Sequence, residues 1–325
     1  MLPMPGRSHS GPLPPLSEAE AEIKRRLERH VQALAGQIGE RNLRRAGSLD
    51  AAARYLQGTL RDLGFAVVAQ EFEVEKTKVV NLESALVGGA LHDQILLVGA
   101  HYDSVVGSPG ANDNGTGAAA VLELARLLAH ERLPRTLRFV LFVNEEPPYY
   151  LGDAMGSRRY AKRCRARGER IVAMLCLETI GYYTDAPGSQ LYPFPFGLVY
   201  PSIGNFIGFV GNLASWGLVR RCIRSFRRST AFPSEGLAAP GWVVGVGWSD
   251  HSSFWEQGYP AVMVTDTALF RYGPYHTSQD TPERVCYDHM ARVVAGLARV
   301  VIDLARTELS RSRAGSGSCP RAATC

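Results

Sequence analysis

The sequence predicts an α/β fold, a three-layer sandwich in which a central mixed, mostly parallel sheet is flanked by helices. Four short runs are almost wholly apolar: "ILLVGA", "LRFVLFV", "IVAMLCL" and "AVMVT". Runs of this kind are typical of parallel strands buried on both faces, and helical segments separate them. Before them, "FAVVAQEFEVEKTKVVNLESALVGG" alternates apolar and polar residues as antiparallel strands do.

Helical periodicity appears on either side of these strands. "SEAEAEIKRRLERHVQALAGQI" has the helical period, and a second helix is expected between Ser48 and Gly64, residue types that open and close helices. A last helix is predicted over about 283–309. Its apolar stripe consists of Met290, Val294, Leu297, Val301 and Leu304.

One domain over 17–309 is the simplest organisation for 325 residues, 46% of them apolar and 21% charged. Residues 1–16 and 310–325 are rich in Pro, Gly and Ser, so we expect both ends to be disordered. Residues 182–247 are predicted to be an irregular insertion that shapes a substrate pocket. Its aromatic residues could line an apolar pocket or pack a long loop: Tyr182, Tyr183, Phe194, Phe196 and Tyr200.

The sequence does not favour nucleic acid or a membrane as a partner. The net charge of +5 is spread along the chain. The basic "VRRCIRSFRR" is expected to be the solvated face of an amphipathic helix. Crossing a membrane takes about 18 consecutive apolar residues, and the sequence contains no stretch of that length. No signal peptide is visible, so a cytoplasmic location is expected unless a leader was removed. The six cysteines show neither zinc-type nor disulfide-scaffold spacing.

Side chains that commonly bind metals follow four of the predicted strands. His101 and Asp103 come directly after "ILLVGA", and Asp113 lies in the glycine-rich "GANDNGTG". The other strand ends supply Glu145, Glu146, Glu178 and His276. In an open sheet, ligands bind beyond the carboxyl ends of parallel strands, so these side chains are expected to converge.

Each of these residues alone carries little weight, since a strand-end carboxylate such as Asp113 is often a helix cap. Together, five carboxylates and two histidines at one sheet edge would repel one another without cations between them. Histidine and carboxylate without thiolate suit zinc, with manganese or cobalt as substitutes. The predicted ligands are His101, Asp113, Glu146, Glu178 and His276.

Five ligands are too many for one tetrahedral ion and suit two zinc ions about 3.5 to 4 Å apart that share a carboxylate. We expect Asp113 to bridge them, because its glycine-rich loop has the freest backbone. Asp103 is expected to accept the other imidazole N–H of His101 and fix its tautomer. Glu145 lies beside a ligand without being needed as one, and is the candidate general base.

The ordered set of motifs resembles metallopeptidase family twenty-eight, zinc exopeptidases that include bacterial leucyl aminopeptidase and aminopeptidase Y. Glutaminyl cyclase and glutamate carboxypeptidase are more distant relatives. The resemblance covers about Leu96 to Glu283 and implies a mostly parallel mixed sheet with two bound zinc ions. The matching segments are "GAHYDS", "GANDNGTG", "NEEP", "LETIGYY", "SDHSSFWEQGYPAVMVTD" and "YHTSQDTPE".

By motif position, the resemblance implies one zinc held by His101, Glu146 and Asp113. The other would be held by Asp113, Glu178 and His276. In this family the residue at Glu178 is often an aspartate, which is one methylene shorter.

The resemblance also marks two residues outside the ligand set. Tyr275, before the last histidine, would assist the oxyanion as a catalytic residue or would pack as a loop aromatic. Asp250 in "SDHSSF" would support the site from behind or cap a strand rather than bind a metal.

The predicted function is a two-zinc aminopeptidase that removes the first residue of peptides with a free N-terminus. Water activated by the metal ions would attack the peptide bond, with Glu145 as base. Glutaminyl cyclisation, for which the related enzymes use one zinc, and carboxypeptidase action are alternatives. The latter needs a cation for the substrate carboxylate, and the matched motifs contain no arginine unless Arg271, between the last two of them, is counted. A catalytically dead binding protein is a further alternative. The oligomeric state is not predicted.

Overall fold

The computed structural model describes residues 4–307. The strands are β1 (Val67–Val74), β2 (Thr77–Leu86), β3 (Leu91–His101), β4 (Arg135–Phe142), β5 (Arg170–Glu178), β6 (Ile207–Gly211), β7 (Ser234–Ala238) and β8 (Ala261–Thr265). The helices are α1 (Glu18–Val31), α2 (Ser48–Asp62), α3 (Gly117–Leu128), α4 (Gly156–Ala166), α5 (Trp216–Ser229), α6 (His251–Glu256), α7 (Ala268–Arg271) and α8 (Tyr287–Arg306).

The eight strands form one mixed sheet in the order β1-β2-β4-β3-β5-β8-β6-β7. Strands β4, β3, β5 and β8 run parallel in its centre, and β1 and β2 form the predicted antiparallel hairpin at one edge. At the other edge β6 is antiparallel to β8 and parallel to β7. The predicted α/β fold with a mixed sheet between helices is confirmed.

Both faces of the central strands are buried, as their apolar runs predicted. On β3, Leu96 and Val98 pack into the large core under α1, α2, α3, α5 and α8, whereas Ile95 and Leu97 pack into the smaller core with α4 and α6. Side chains alternate across a strand, so one apolar run can supply two cores. The predicted stripe on α8 lies wholly in the large core.

Helix α1 begins with a capping box between Ser17 and Glu20, in which each side chain bonds the other residue's backbone N–H. It continues as a π-helical turn, Gln32–Ile38, that ends at Gly39 with a φ of 79°. Glycine adopts this left-handed conformation without steric cost, so the helix ends there. The two predicted N-terminal helices are therefore present.

The region 182–247 is more regular than predicted. It contains β6, α5 and β7, and two of these elements extend the sheet. Strand β6 has the sequence "IGFVG", in which two glycines interrupt the apolar pattern that marks the other buried strands. The expectation of an irregular insertion is wrong for these elements.

The predicted disorder at the N-terminus differs from what the structure places there. Residues 4–16 form no helix or strand but lie along α5, β7 and α8. The Ser8 hydroxyl accepts a bond from the Ser234 N–H at 2.8 Å, and Arg227 donates to the Gly6 carbonyl at 3.0 Å. Arg292 donates to the Pro14 carbonyl. These bonds satisfy backbone groups that a disordered segment would leave to water. The predicted tail 310–325 lies outside the described residues.

The basic segment forms α5, as predicted, but its arginines do not all lie on a solvated face. The Arg227 side chain is only 7% exposed. Between residues 4 and 307, no helix is both long enough and apolar enough to span a membrane. Every cysteine in this part of the chain is unpaired, namely Cys164, Cys176, Cys222 and Cys286.

Candidate metal centre

The polar residues predicted at the strand ends converge at the carboxyl edge of the parallel strands. His101 is the last residue of β3 and Glu178 the last of β5, and these strands are parallel neighbours. Glu146 follows the other neighbour of β3, strand β4. His276 arrives from the loop after α7, at a φ of 58°. The sheet and this loop thus bring four side chains from distant parts of the sequence to one place.

The first group of candidate ligands is His101, Asp113 and Glu178. His101 Nε2 lies 3.2 Å from a Glu178 carboxylate oxygen and 3.4 Å from Asp113 Oδ1. All three side chains are buried.

The second group is Asp113, Glu146 and His276. His276 Nε2 lies 3.0 Å from Asp113 Oδ2 and 3.2 Å from a Glu146 carboxylate oxygen. Asp113 therefore turns one oxygen to each histidine, which is the arrangement expected of a bridging carboxylate.

The structure distributes the five residues differently from what the resemblance implied. His101 is grouped with Glu178 and His276 with Glu146, whereas the motif positions had suggested the reverse pairing. Strand β3 lies between β4 and β5, so strand order alone would allow either carboxylate to meet His101. Glu178 is the last residue of β5, whereas Glu146 lies four residues beyond the end of β4, in a loop, and there it meets His276. Only Asp113 belongs to both groups, as expected.

Several polar atoms of this cluster are buried without a hydrogen-bond partner among residues 4–307. They include Nε2 of His101, Nε2 of His276 and Asp113 Oδ2. Buried polar atoms are rarely left unpaired in native proteins. Divalent cations bound between the histidines and the carboxylates would satisfy these atoms.

The charges of the cluster are poorly compensated by protein alone. Burial, together with the Asp113 charge, raises the pKa of Glu146 to about 8. Burial also raises the pKa of Glu145 well above its ordinary value, and the Glu178 and Glu146 charges add to the effect. Burial acts to lower the pKa of His276, but its contacts with Asp113 and Glu146 outweigh this and raise it to about 10. Such shifts mark excess negative charge, which bound cations would neutralise.

Asp103 lies behind the cluster, as predicted. Its Oδ1 is 3.4 Å from His101 Nδ1, the ring nitrogen that faces away from the candidate ligands. The same carboxylate accepts the backbone N–H groups of Glu145 at 3.2 Å and Glu146 at 3.1 Å. It therefore lies beside the ring of one candidate ligand and holds the backbone of another by a hydrogen bond.

Glu145 belongs to neither ligand group. One of its carboxylate oxygens is 3.7 Å from His101 Nε2, so Glu145 is adjacent to the cluster. A carboxylate that is adjacent to a metal site but free of the metal can take up a proton from water. The position of Glu145 suits the role of base that the sequence suggested.

A family model described as peptidase family M28 matches residues 81–301. The chain belongs to peptidase family M28. This confirms the family that the motifs resemble, and with it the prediction of a peptidase.

This M28 peptidase is similar in sequence to curated proteins, among them one from Escherichia coli and one from Arthroderma otae. The uncharacterized protein YfbL of Escherichia coli K12 is 36% identical over 282 residues, which cover 83% of this chain and 85% of that protein. A probable leucine aminopeptidase of Arthroderma otae is 25% identical over 258 residues, or 74% of this chain and 62% of that protein. The match thus spans about three fifths of that aminopeptidase.

Solved structures show the same fold at low sequence identity. BSAP, a zinc aminopeptidase from Bacillus subtilis, has a TM-score of 0.69 at 15% identity, with 89% of this chain and 96% of that chain covered. A glutaminyl cyclase from Fimbriiglobus ruber has a TM-score of 0.64 at 21% identity, with 91% of this chain and 98% of that chain covered.

Asp280 supports the metal centre of this M28 peptidase, a role that sequence reasoning missed. Its carboxylate accepts the backbone N–H groups of Asn112 at 2.8 Å and Asp113 at 3.0 Å. It also accepts the Tyr272 hydroxyl at 2.9 Å. Asp280 lies in the motif "YHTSQDTPE", so its position was marked although its role was not.

A second buried carboxylate, Asp266, holds the same loop from another side. It accepts the Asn112 side-chain amide at 2.9 Å and the Tyr182 N–H at 2.7 Å. Burial raises the pKa of Asp266 to about 6. The sequence motif that ends in "VTD" contained this residue without indicating its partner.

Tyr275 and Asp250 keep the places that the motifs suggested, and their roles stay predictions. The Tyr275 ring stacks on the His276 imidazole with centroids 3.9 Å apart. Burial and the Asp113 charge raise the pKa of its phenol. Asp250 precedes α6, is fully buried and belongs to neither ligand group. Burial raises the pKa of Asp250 to about 7.

A cavity that is open to solvent begins beside the metal centre, at Glu178, Thr179 and Tyr275, and encloses about 880 Å³ when the solvent at its mouth is included. Of the five aromatic residues considered from the sequence, Phe196 and Tyr200 line it. The others do not. Tyr182 packs against Tyr272, Tyr183 is buried on Phe232 and His289, and Phe194 is 89% exposed.

Proposed function

We propose that this M28 peptidase is a two-zinc aminopeptidase that removes the first residue of a peptide with a free N-terminus. The observation that carries the proposal is the placement of Asp113, with Oδ2 3.0 Å from His276 and Oδ1 3.4 Å from His101. One carboxylate shared by two histidine–carboxylate groups suits two adjacent cations better than one.

The donor set favours zinc. Each group offers one imidazole nitrogen and two carboxylates, which are ligands that zinc accepts and that manganese or cobalt would also accept. When bound, two zinc ions would acidify a water and polarise the scissile carbonyl. His101, Asp113 and Glu178 would hold one ion, and Asp113, Glu146 and His276 the other.

The protein's own groups would supply the proton transfers and the orientation. Glu145 would take a proton from the attacking water and pass it to the leaving amine. Asp103 would keep the His101 ring in place through its contact with Nδ1. The Tyr275 hydroxyl would donate a hydrogen bond to the carbonyl oxygen as negative charge develops there.

The cavity beside Glu178 and Tyr275 would receive the side chain of the first residue. A free substrate amine is cationic or a metal ligand, and the carboxylates around it would attract it to this end of the cavity. Selection for a chain end would follow, since an internal peptide nitrogen carries no such charge.

Carboxypeptidase action is disfavoured by the surroundings of Arg271. Its guanidinium is buried and donates to the carbonyls of Gly204 at 2.7 Å and Phe206 at 2.9 Å. Its Nε donates to the Thr267 hydroxyl at 3.0 Å. An arginine so engaged has no free face for a substrate carboxylate.

Elemental analysis together with an arylamide assay tests the proposal. We expect two equivalents of zinc per chain, hydrolysis of aminoacyl arylamides, loss of hydrolysis after chelation, and recovery with zinc, manganese or cobalt. One equivalent of zinc with cyclisation of N-terminal glutamine would favour the glutaminyl cyclase alternative. Absence of both zinc binding and hydrolysis would leave the binding-protein alternative.

A further inference from the structure

We propose that Glu235, at the far end of the cavity, makes this enzyme select a first residue with a long aliphatic chain and a cationic tip, such as lysine or arginine. The inference rests on the proposed aminopeptidase function and names the class of substrate. It starts from the position of one carboxylate in an otherwise mainly apolar and aromatic cavity.

The sheet places Glu235 in line with the metal centre. Glu178 on β5 pairs with Thr265 on β8, Thr265 pairs with Gly208 on β6, and Gly208 pairs with Glu235 on β7. Residues paired in this way lie on the same face of a sheet. All four line the cavity.

The spacing suits an extended side chain. Neighbouring strands lie about 4.8 Å apart, so the three steps from Glu178 to Glu235 cover roughly 14 Å. A lysine or arginine whose backbone lies at the metal centre would point its charged tip along this row, and the Glu235 side chain would cover the remaining distance. A leucine side chain would end well before it.

The floor of this path is open and apolar. Gly208 has no side chain to block the middle of the row. A second row, formed by Met263, Val210 and Leu237 on the same three strands, lies beside it along the cavity. These groups would contact the methylene groups of a long side chain, as happens where lysine and arginine bury their stems along apolar surface.

Aromatic rings stand at the end where the charge would lie. Tyr192 and Tyr200 line the cavity with ring centroids 5.8 Å apart. The Tyr200 hydroxyl donates to the carbonyl of Gly236, the residue after Glu235, at 2.8 Å. Burial raises the pKa of both phenols, and the Glu235 charge adds to the effect. The faces of aromatic rings attract cations, and a carboxylate beside two rings is a favourable place for an ammonium or guanidinium group.

Arg227, the nearest cation to Glu235 on the protein side, does not use up this carboxylate. Its NH2 group is 3.7 Å away, too far for a hydrogen bond. The guanidinium instead donates to the Ser234 carbonyl at 2.6 Å and hydroxyl at 3.2 Å, and to the Gly6 carbonyl at 3.0 Å. The Ser8 hydroxyl is a hydrogen-bond partner of Glu235. A carboxylate has about four lone-pair sites, so this one partner leaves Glu235 able to accept further hydrogen bonds from a ligand in the cavity.

The test compares lysyl and norleucyl arylamides, which have the same straight chain with and without the ammonium group. In the zinc-loaded enzyme we expect kcat/KM to be higher for the lysyl substrate. E235Q, which keeps the shape and removes the charge, should lower the lysyl-to-norleucyl ratio by about fivefold or more and leave the norleucyl value within about twofold. Glu131→Gln, which removes a carboxylate paired with Arg306 on the surface, is the matched control and should leave the ratio unchanged.

Three results would overturn the inference. The first is an unchanged ratio in E235Q, and the second is an equal fall for both substrates, which would indicate a structural effect. The third is a wild-type enzyme that prefers the norleucyl substrate. In each of these the aminopeptidase function itself stands, whereas failure of the wild-type enzyme to cleave either arylamide would remove the proposed function and this inference with it.

Discussion

The Asp103 carboxylate accepts the backbone N–H of Glu146 at 3.1 Å and thereby ties the end of β3 to the end of β4. Its other oxygen is shared between His101 Nδ1 and the N–H of Glu145. A single carboxylate thus sets the relative position of two candidate ligands and of the candidate base. Charge at this residue should affect metal binding although Asp103 is not a ligand.

We expect Asp103→Asn to weaken zinc binding by about 10- to 100-fold. The amide keeps one oxygen but turns an NH2 group towards an N–H donor or the His101 ring, so at least one of the contacts is lost. Competition with a chromogenic chelator measures the affinity. Asp93→Asn is the control, because Asp93 is half-exposed and pairs with Arg170 on the surface. Equal zinc affinity in both variants would show that Asp103 does not support the site.

Glu145→Gln should keep both zinc ions and lose about 10²- to 10⁴-fold in kcat. Glutamine matches the size of the side chain but does not accept a proton from water, and Glu145 is outside both ligand groups. Zinc content and steady-state hydrolysis of an aminoacyl arylamide are measured on the same preparation. Loss of zinc in this variant would make Glu145 a ligand, and near-normal turnover would remove it as base.

The sequence was sufficient to predict which residues meet at the site but not how they are grouped. His101 and Glu178 end apolar runs, and Asp113 lies in a glycine-rich loop before a helix, so their convergence follows from the rule that parallel strands share a carboxyl edge. Their grouping depends on the loops, because β3 lies between β4 and β5, and Glu178 ends β5 whereas Glu146 lies four residues beyond the end of β4. No periodicity in the sequence encodes the path of those loops.

The supporting residues could not be predicted for a different reason. Asp280 acts on Asp113 through backbone N–H groups 167 positions away in sequence. Backbone donors leave no trace in residue type. Strand β6 was missed because Gly208 interrupts its apolar pattern. The absence of a side chain at Gly208 leaves the cavity floor open.

Arg41 is another residue that only the structure brings forward. It is fully buried between the first helices and the loop that leads from Asp103 to Asp113. Burial lowers its pKa to about 10, so it stays charged at neutral pH. Its guanidinium donates to the backbone carbonyls of Leu34, Gly39, Tyr102, Pro109 and Gly110.

Arg41→Lys should lower the free energy of unfolding by about 2 to 5 kcal/mol. The guanidinium reaches the five carbonyls from three nitrogens, whereas lysine has a single nitrogen. The Leu34 and Gly110 carbonyls also accept backbone N–H groups, but some of the others would lose their donor. Urea denaturation measures the change. Arg44→Lys is the matched control, because the Arg44 side chain is exposed and its ion pair with Glu75, at 3.6 Å, lies on the surface. A loss below 1 kcal/mol for Arg41→Lys would mean that water replaces the missing donors.

His30 should make the stability of the protein depend on pH between about 4 and 6.5. The ring is buried against Tyr55, with Nδ1 2.7 Å from the phenol oxygen. Burial, aided by the charges of Arg29 and Arg26, lowers its pKa from 6.5 to about 4. Below pH 6.5 the unfolded chain therefore binds a proton that the folded protein does not, which favours unfolding. The contribution is complete above pH 6.5 and is lost as the pH falls towards 4, by up to about 3 kcal/mol.

The measurement is the free energy of unfolding by urea at several pH values, for the wild type and for His30→Gln. Glutamine keeps an acceptor for the Tyr55 hydroxyl and removes the titration, so the difference between the two proteins should shrink or reverse as the pH falls. Other acid-sensitive groups, including the metal ligands, affect both proteins alike and cancel in the difference at equal zinc concentration. His92→Gln, at an exposed position, should follow the wild-type curve. Parallel curves for the wild type and His30→Gln would show that His30 takes up its proton equally in both states, which is incompatible with a buried neutral ring.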